Sequence, residues 1–111
     1  SSITTETPWT KTAATFSGVA LKDLLRDLSI DSTQIQIKVI ALNNYWSTIP
    51  YSEIEQYQPI LALKNGGKTM SVRDKGPIWV IYPLSATSQL TNEVLHSRMV
   101  WQVATLEIDD Q

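Results

Sequence analysis

Ile60-Leu61-Ala62-Leu63-Lys64-Asn65-Gly66-Gly67-Lys68-Thr69-Met70-Ser71-Val72 is the stretch whose reading decides the fold class. Two short runs with strand character flank Asn65-Gly66-Gly67, and an Asn-Gly step supplies the positive φ angles that a tight antiparallel turn demands. The spacing therefore predicts a hairpin, with strands over Ile60 to Lys64 and Lys68 to Val72. Downstream, Ile78 to Tyr82 is a run of buried-strand character bounded by Gly76-Pro77 and Pro83. Upstream, Pro59 closes a short helix that opens at Ser52-Glu53-Ile54-Glu55, a capping-box pattern in which Ser52 and Glu55 satisfy each other's free amides.

Further out, Ile35 to Leu42 has apolar residues on both faces towards its end, which predicts an interior strand covered on both sides. Asn43-Asn44 tolerates left-handed geometry and marks a turn before a strand over Tyr45 to Ile49. Leu21, Leu24, Leu25 and Leu28 recur at offsets of three and four, so they share one face of a helix that Phe16-Ser17-Gly18-Val19 leads into. Lys22, Asp23, Arg26 and Asp27 fall outside that face, with Asp23 and Arg26 one turn apart. Residues 1–15 are Thr-rich and interrupted by Pro8, which reads as an edge strand followed by a loop. Residues 84–97 are Ser/Thr-rich and irregular, with a helical turn around Thr91 to His96. Met99 to Ile108 is the last strand, and Asp109-Asp110 reads as a solvated tail.

Five or six strands interrupted by two short helices do not follow a βαβ rhythm. The fold class is α+β, a mixed sheet with a few short helices packed on it. No repeat or linker divides residues 1–111, which read as one unit of modal domain length.

Composition removes several function classes. Hydrophobic residues make up 42% and charged residues 18%, the balance of a globular chain. The net charge of −2 lacks the basic stripe of a nucleic-acid binder. No apolar run approaches the ~20 residues that cross a membrane. There is no cysteine, hence no disulfide, thiolate ligand or cysteine nucleophile. The chain opens on Ser1-Ser2 without an initiator methionine or a signal peptide, which reads as a processed or truncated form.

The residues that could carry chemistry are few. His96, the sole histidine, has no Ser-His-Asp or metal-ligand spacing around it and reads as a polar loop residue. Gly66-Gly67 belongs to the hairpin, and no phosphate-cradling glycine pattern fits the chain. Arg73-Asp74-Lys75 is the densest polar cluster. It is either an anion holder with Asp74 orienting the two cations, or a charged turn in which Asp74 bonds backbone amides. Four tryptophans and four tyrosines exceed what so small a core can enclose. One or two rings therefore line a groove or interface, with Trp9 and Trp46 the expected exposed ones.

In order, Phe16-Ser17-Gly18-Val19-Ala20-Leu21 with Asp23-Leu24-Leu25, Ala41-Leu42-Asn43-Asn44-Tyr45 with Ile49-Pro50, Leu61-Ala62-Leu63 with Asn65-Gly66, and Arg98 with Trp101 resemble the sulfite-oxidase-type molybdopterin-binding domain. Thr7-Pro8-Trp9-Thr10, Met70 through Pro77 and Trp79-Val80-Ile81-Tyr82-Pro83 narrow the resemblance to a small, stand-alone exported bacterial subgroup. The resemblance implies that fold, a periplasmic or otherwise exported location, and a further N-terminal segment before this chain.

It also implies a loss. The family's enzymes ligate molybdenum through a cysteine upstream of the Phe-x-Gly-Val segment, where this chain has Thr4, Thr5 and Thr7. Family cations that pair with the pterin phosphate are replaced by Trp79 and Val100, leaving Arg73, Lys75 and Arg98. The expectation is a cofactor-free relative, leaning away from catalysis, with molybdopterin implied by resemblance only. Its candidate pocket residues are Trp9, Tyr45, Trp46, Arg73, Lys75 and Arg98, and its expected partner is a small-molecule ligand or an exported protein. The alternatives are a subunit of a molybdenum-dependent oxidoreductase, or a structural and assembly domain.

Overall fold

The computed structural model describes residues 1–10, 12–30 and 33–110. Among them the order is β1 (Ser2–Thr5), β2 (Ala14–Ala20), α1 (Leu21–Asp27), β3 (Ile35–Ala41), β4 (Trp46–Pro50), α2 (Tyr51–Tyr57), β5 (Ile60–Asn65), β6 (Lys68–Thr69), β7 (Trp79–Ile81), α3 (Glu93–Arg98) and β8 (Val103–Asp110). A single 3-10 turn, Val72–Asp74, lies between β6 and β7.

The strands form two sheets. One runs β1-β2-β5-β6 with β7 also paired to β5, and the other runs β4-β3-β8. Every pairing is antiparallel, which corrects the expected mixed sheet. The connections explain it: α1, α2 and α3 each carry the chain from one sheet to the other. Among the described residues no helix serves to bring a strand back parallel within its own sheet. The result is an α+β domain of two antiparallel sheets with three short helices at the crossings.

The deciding hairpin forms where expected, with its first strand longer by one residue, to Asn65. Gly66 and Gly67, at φ 61° and 82°, take the two central turn positions, and Asn65 pairs with Lys68. Its second strand is only two residues long because Met70 leaves the ladder and buries its side chain. That frees the other half of the same β5 edge for β7, with Ile60 opposite Ile81 and Ala62 opposite Trp79. The other edge of β5 takes β2, which sequence reasoning treated as a lead-in to the helix. The β2 strand is masked in sequence by an irregularity at Ser17/Gly18, where the backbone of Leu61 comes so close that a Cβ on Gly18 would collide with its carbonyl oxygen.

Several local readings are corrected. β3 alternates cleanly, with Ile35, Ile37, Val39 and Ala41 buried while Gln36, Lys38 and Ile40 are half-buried, so only one face is fully covered. The capping box does not form: Pro50 occupies the N-cap of α2, Ser52 lies inside the first turn, and no side chain caps the helix. Leu28 falls just past the end of α1 and is exposed, while Leu21 and Leu25 are buried. Asp109 and Asp110 belong to β8, opposite Gln36 and Ile35. In α3 the Asn92 side chain accepts from the amide of Leu95, a genuine N-cap.

One core serves both sheets, with Phe16, Ala62, Trp79 and Ile81 from the first and Ile37, Val39 and Ile49 from the second, joined by Leu25, Ile54 and Leu95 from the helices. The link between α3 and β8 ties the sheets at the backbone. Val80 donates to Val100 at 2.9 Å, Val103 donates to Ile78 at 3.0 Å, and Gln102 donates to Lys75 at 3.0 Å. This link carries Trp101 to the surface beside Lys75. No helix among the described residues is long and apolar enough to cross a membrane.

Candidate functional site

A groove of about 370 Å³ opens where the β3–β4 turn, α3, the α3–β8 link and the Trp9 turn meet. Its lining comprises Trp9, Ala41, Asn43, Tyr45, His96, Ser97, Met99, Val100 and Trp101. Each wall is positioned by local bonding. Trp9 stands in a turn held by the buried Thr7, whose hydroxyl accepts from the Trp9 amide at 3.2 Å and pairs with the Thr10 hydroxyl at 3.1 Å. Tyr45 follows a turn in which Asn44 adopts φ 69° and the Asn43 side chain accepts from the Tyr45 amide at 3.0 Å. The Tyr45 hydroxyl then donates to the Ser97 carbonyl at 3.0 Å, fastening the turn to α3.

The aromatic rings form a continuous edge-to-face series from core to surface. Phe16 meets Trp79 at 5.2 Å between centroids, Trp79 meets Trp9 at 6.0 Å, and Trp9 meets Trp101 at 4.9 Å with planes at 79°. Edge-to-face packing suits the ring quadrupole, adding about 0.5–1.5 kcal/mol per pair beyond area burial. Trp79 is fully enclosed, and its indole N–H donates to the Met99 carbonyl at 3.2 Å, so no polar atom is stranded. Trp9 keeps 37% of its surface exposed.

His96 lies in α3 rather than in a loop, with its ring 6.0 Å from that of Trp9. Its Nε2 is 2.7 Å from the Leu90 carbonyl. A carbonyl can only accept, so Nε2 carries the proton.

Lys75 sits at the edge of this aromatic wall. Its backbone is left-handed at φ 71°, and its Nζ lies 5.1 Å from the Trp101 ring centroid and 5.9 Å from that of Trp79. These are cation–π distances. Among the described residues no carboxylate stands within ion-pair distance of Lys75 or Arg73. Asp74 accepts from the Ser71 hydroxyl at 3.1 Å and does not orient either cation. The charged-turn alternative is the one that forms, as a 3-10 turn closed onto the Ser71 carbonyl, with Asp74 bonded to the Ser71 hydroxyl instead of to backbone amides.

Arg98 has a different fate. Its Nε lies 2.8 and 2.9 Å from the two carboxylate oxygens of Glu53, and its Nη1 donates to the Thr48 carbonyl. Tyr82 donates to the same carboxylate at 2.9 Å. Burial, followed by the Glu53 charge, pushes the Tyr82 hydroxyl far above the ordinary tyrosine range. This cluster ties α2, β4, α3 and the end of β7 together.

Of the six residues expected at a pocket, the structure brings Trp9 and Tyr45 into the groove and puts Lys75 on its Trp101 wall. Trp46 is exposed elsewhere, on β4, beneath the Lys38 ammonium at 4.5 Å. Arg73 is exposed on its 3-10 turn, and Arg98 is engaged by Glu53. Sequence reasoning missed Trp101, Met99 and His96 as groove residues, and Glu53 with Tyr82 as a polar tie. The Asn92 cap was a usable signal, because it places His96 one turn into a helix.

No protein-family model matches the chain, and no curated protein matches it in sequence. Among the described residues, no three His, Asp or Glu side chains gather where they could share a metal ion.

Proposed function

We propose that this chain is an exported ligand-binding domain, a relative of the sulfite-oxidase-type molybdopterin domain that works without the cofactor. The observation that carries the reading is the aromatic groove, in which Trp9, Tyr45, His96 and Trp101 leave ring surface open beside a fully packed core. Concave, mostly apolar sites of about 300–1,000 Å³ with a few polar groups are where proteins take small molecules.

The residues present do not fit a molybdopterin. At the place the resemblance assigns to a thiolate, Thr5 and Thr7 are buried and already hydrogen-bonded, Thr5 to Ser85 and Thr7 to Thr10. A threonine hydroxyl is also too hard a donor to replace the thiolate. Of the three remaining cations, Arg98 is held by Glu53, Lys75 rests on indole rings, and Arg73 faces solvent. Such a set offers no shared cradle for a phosphate.

Two measurements test the proposal. The four tryptophan indole N–H resonances of ¹⁵N-labelled protein are followed against a collection of small neutral compounds. Saturable movement of Trp9 and Trp101 with Trp46 still is the expected result. An intact fold whose Trp9 and Trp101 signals ignore the whole collection overturns the binding role. Protein from a molybdate-fed culture is expected to hold molybdenum in less than a few per cent of molecules, and near-stoichiometric metal would restore the oxidoreductase alternative.

A further inference from the structure

We infer that the groove selects a planar ring system of one or two fused rings and turns away cations of the same shape. This rests on the binding-domain reading and names its ligand class.

Three observations carry it. First, among the described residues the lining contains no carboxylate, so a cation entering it loses hydration without a counter-ion in the walls. Second, Trp9 and Trp101 stand nearly perpendicular, at 79° and 4.9 Å. Two indoles at that angle form a corner: a flat ring stacked on one presents its positive edge to the face of the other. A puckered aliphatic ring offers neither the flat face nor the edge. Third, the Lys75 ammonium already occupies the Trp101 quadrupole at 5.1 Å, with no carboxylate to neutralise it among the described residues. A second cation would meet a ring whose attraction is in use and a like charge well within the screening length of about 8–10 Å. The volume of about 370 Å³ lies at the small end of ligand pockets, which limits the ring count.

The test uses three probes on the whole chain, read at the tryptophan indole resonances: indole (planar, neutral), tryptamine (the same ring with an ammonium) and cyclohexanol (neutral, puckered). Indole is expected to move Trp9 and Trp101 saturably, tryptamine to bind at least about tenfold more weakly, and cyclohexanol to give no saturable shift. Lys75→Gln should shrink the tryptamine penalty, taken relative to indole in the same variant, to below about threefold. Tyr45→Leu, at a half-exposed wall position, should weaken indole at least about fivefold, with the Trp79 resonance reporting that the core is intact. Tryptamine binding as tightly as indole, or cyclohexanol saturating the same resonances, overturns the selectivity while leaving a binding groove. So does a tryptamine penalty that survives Lys75→Gln. Groove binding by other neutral compounds without any response to indole overturns the ligand class alone. Silence of Trp9 and Trp101 towards every compound overturns the binding-domain reading with it.

Discussion

Two regions hang on the same six-residue helix and behave in opposite ways. His96 and Arg98 are two positions apart, about 200° around a helix of 3.6 residues per turn, so they serve different sides of it. On the Arg98 side, a cation, a carboxylate and a phenol satisfy one another under partial burial, with side-chain exposures of 21% and 15% for Arg98 and Glu53. On the His96 side, aromatic rings meet edge to face and still leave surface open to solvent. A saturated polar cluster has nothing left for a ligand, whereas an open aromatic corner does. The difference teaches that the type of side chain on a helix says less about binding than what stands opposite it.

The sharpest way to break this contrast is to remove the carboxylate. Glu53→Ala strands Arg98 and the Tyr82 hydroxyl together, and should cost about 3 kcal/mol of stability, read from the urea midpoint. A loss below 1 kcal/mol would mean that the cluster does not hold α2, β4 and α3 together.

Tyr82→Phe is the next test and has a pH signature. Near neutrality it should cost about 1.5 kcal/mol, the worth of a hydrogen bond to a charged group. Tyrosine in the unfolded chain ionises near pH 10. The folded Tyr82 hydroxyl, raised by burial and then by Glu53, stays protonated beyond that. The unfolded state therefore holds fewer protons above pH 10, and this group's contribution to stability, present below pH 10, falls by about 1.4 kcal/mol per pH unit as pH rises. The phenylalanine variant lacks that loss, so the gap between the two proteins should close near pH 11 in parallel denaturation curves. A gap that stays constant from pH 8 to pH 11 would count against the buried neutral phenol.

On the other side of α3 the order of effects reverses. Trp9→Leu should cost only about 1 kcal/mol, because the ring is partly exposed and loses mainly its edge-to-face partners. Saturable indole binding should nonetheless disappear, as titration of the Trp101 resonance would record. The smallest effect is expected at Arg73→Ala, within about 0.5 kcal/mol by thermal denaturation and without change in groove binding.

Much of the fold was legible residue by residue. The Leu21/Leu25 face of α1, the Asp23–Arg26 pair at 3.3 Å, the hairpin turn and the buried run from Trp79 to Tyr82 all follow from local spacing. The expectation that Trp9 and Trp46 are the exposed indoles also agrees with their positions. The misses have a common cause. β2 breaks its alternation at Gly18 to admit a neighbouring backbone. Ser52-Glu53-Ile54-Glu55 has the chemistry of a cap, yet Glu53 faces Arg98 and Tyr82 from a helix that starts earlier. Arg98 looked available because its counter-ion lies 45 positions away.

The sequence by itself determined the turn positions, the apolar faces, the surplus of large rings and the want of any thiolate. These depend on residue chemistry and on neighbours a few positions apart. Only the tertiary structure decided that two sheets form in place of one, that Arg98 is engaged while Lys75 lies on indole, and that Trp9, Tyr45 and Trp101 share a groove. The Tyr45 hydroxyl and the Ser97 carbonyl that brace its wall are 52 positions apart. Contacts of that range are set by which strand edges pair and which faces pack, and local periodicity carries no record of either.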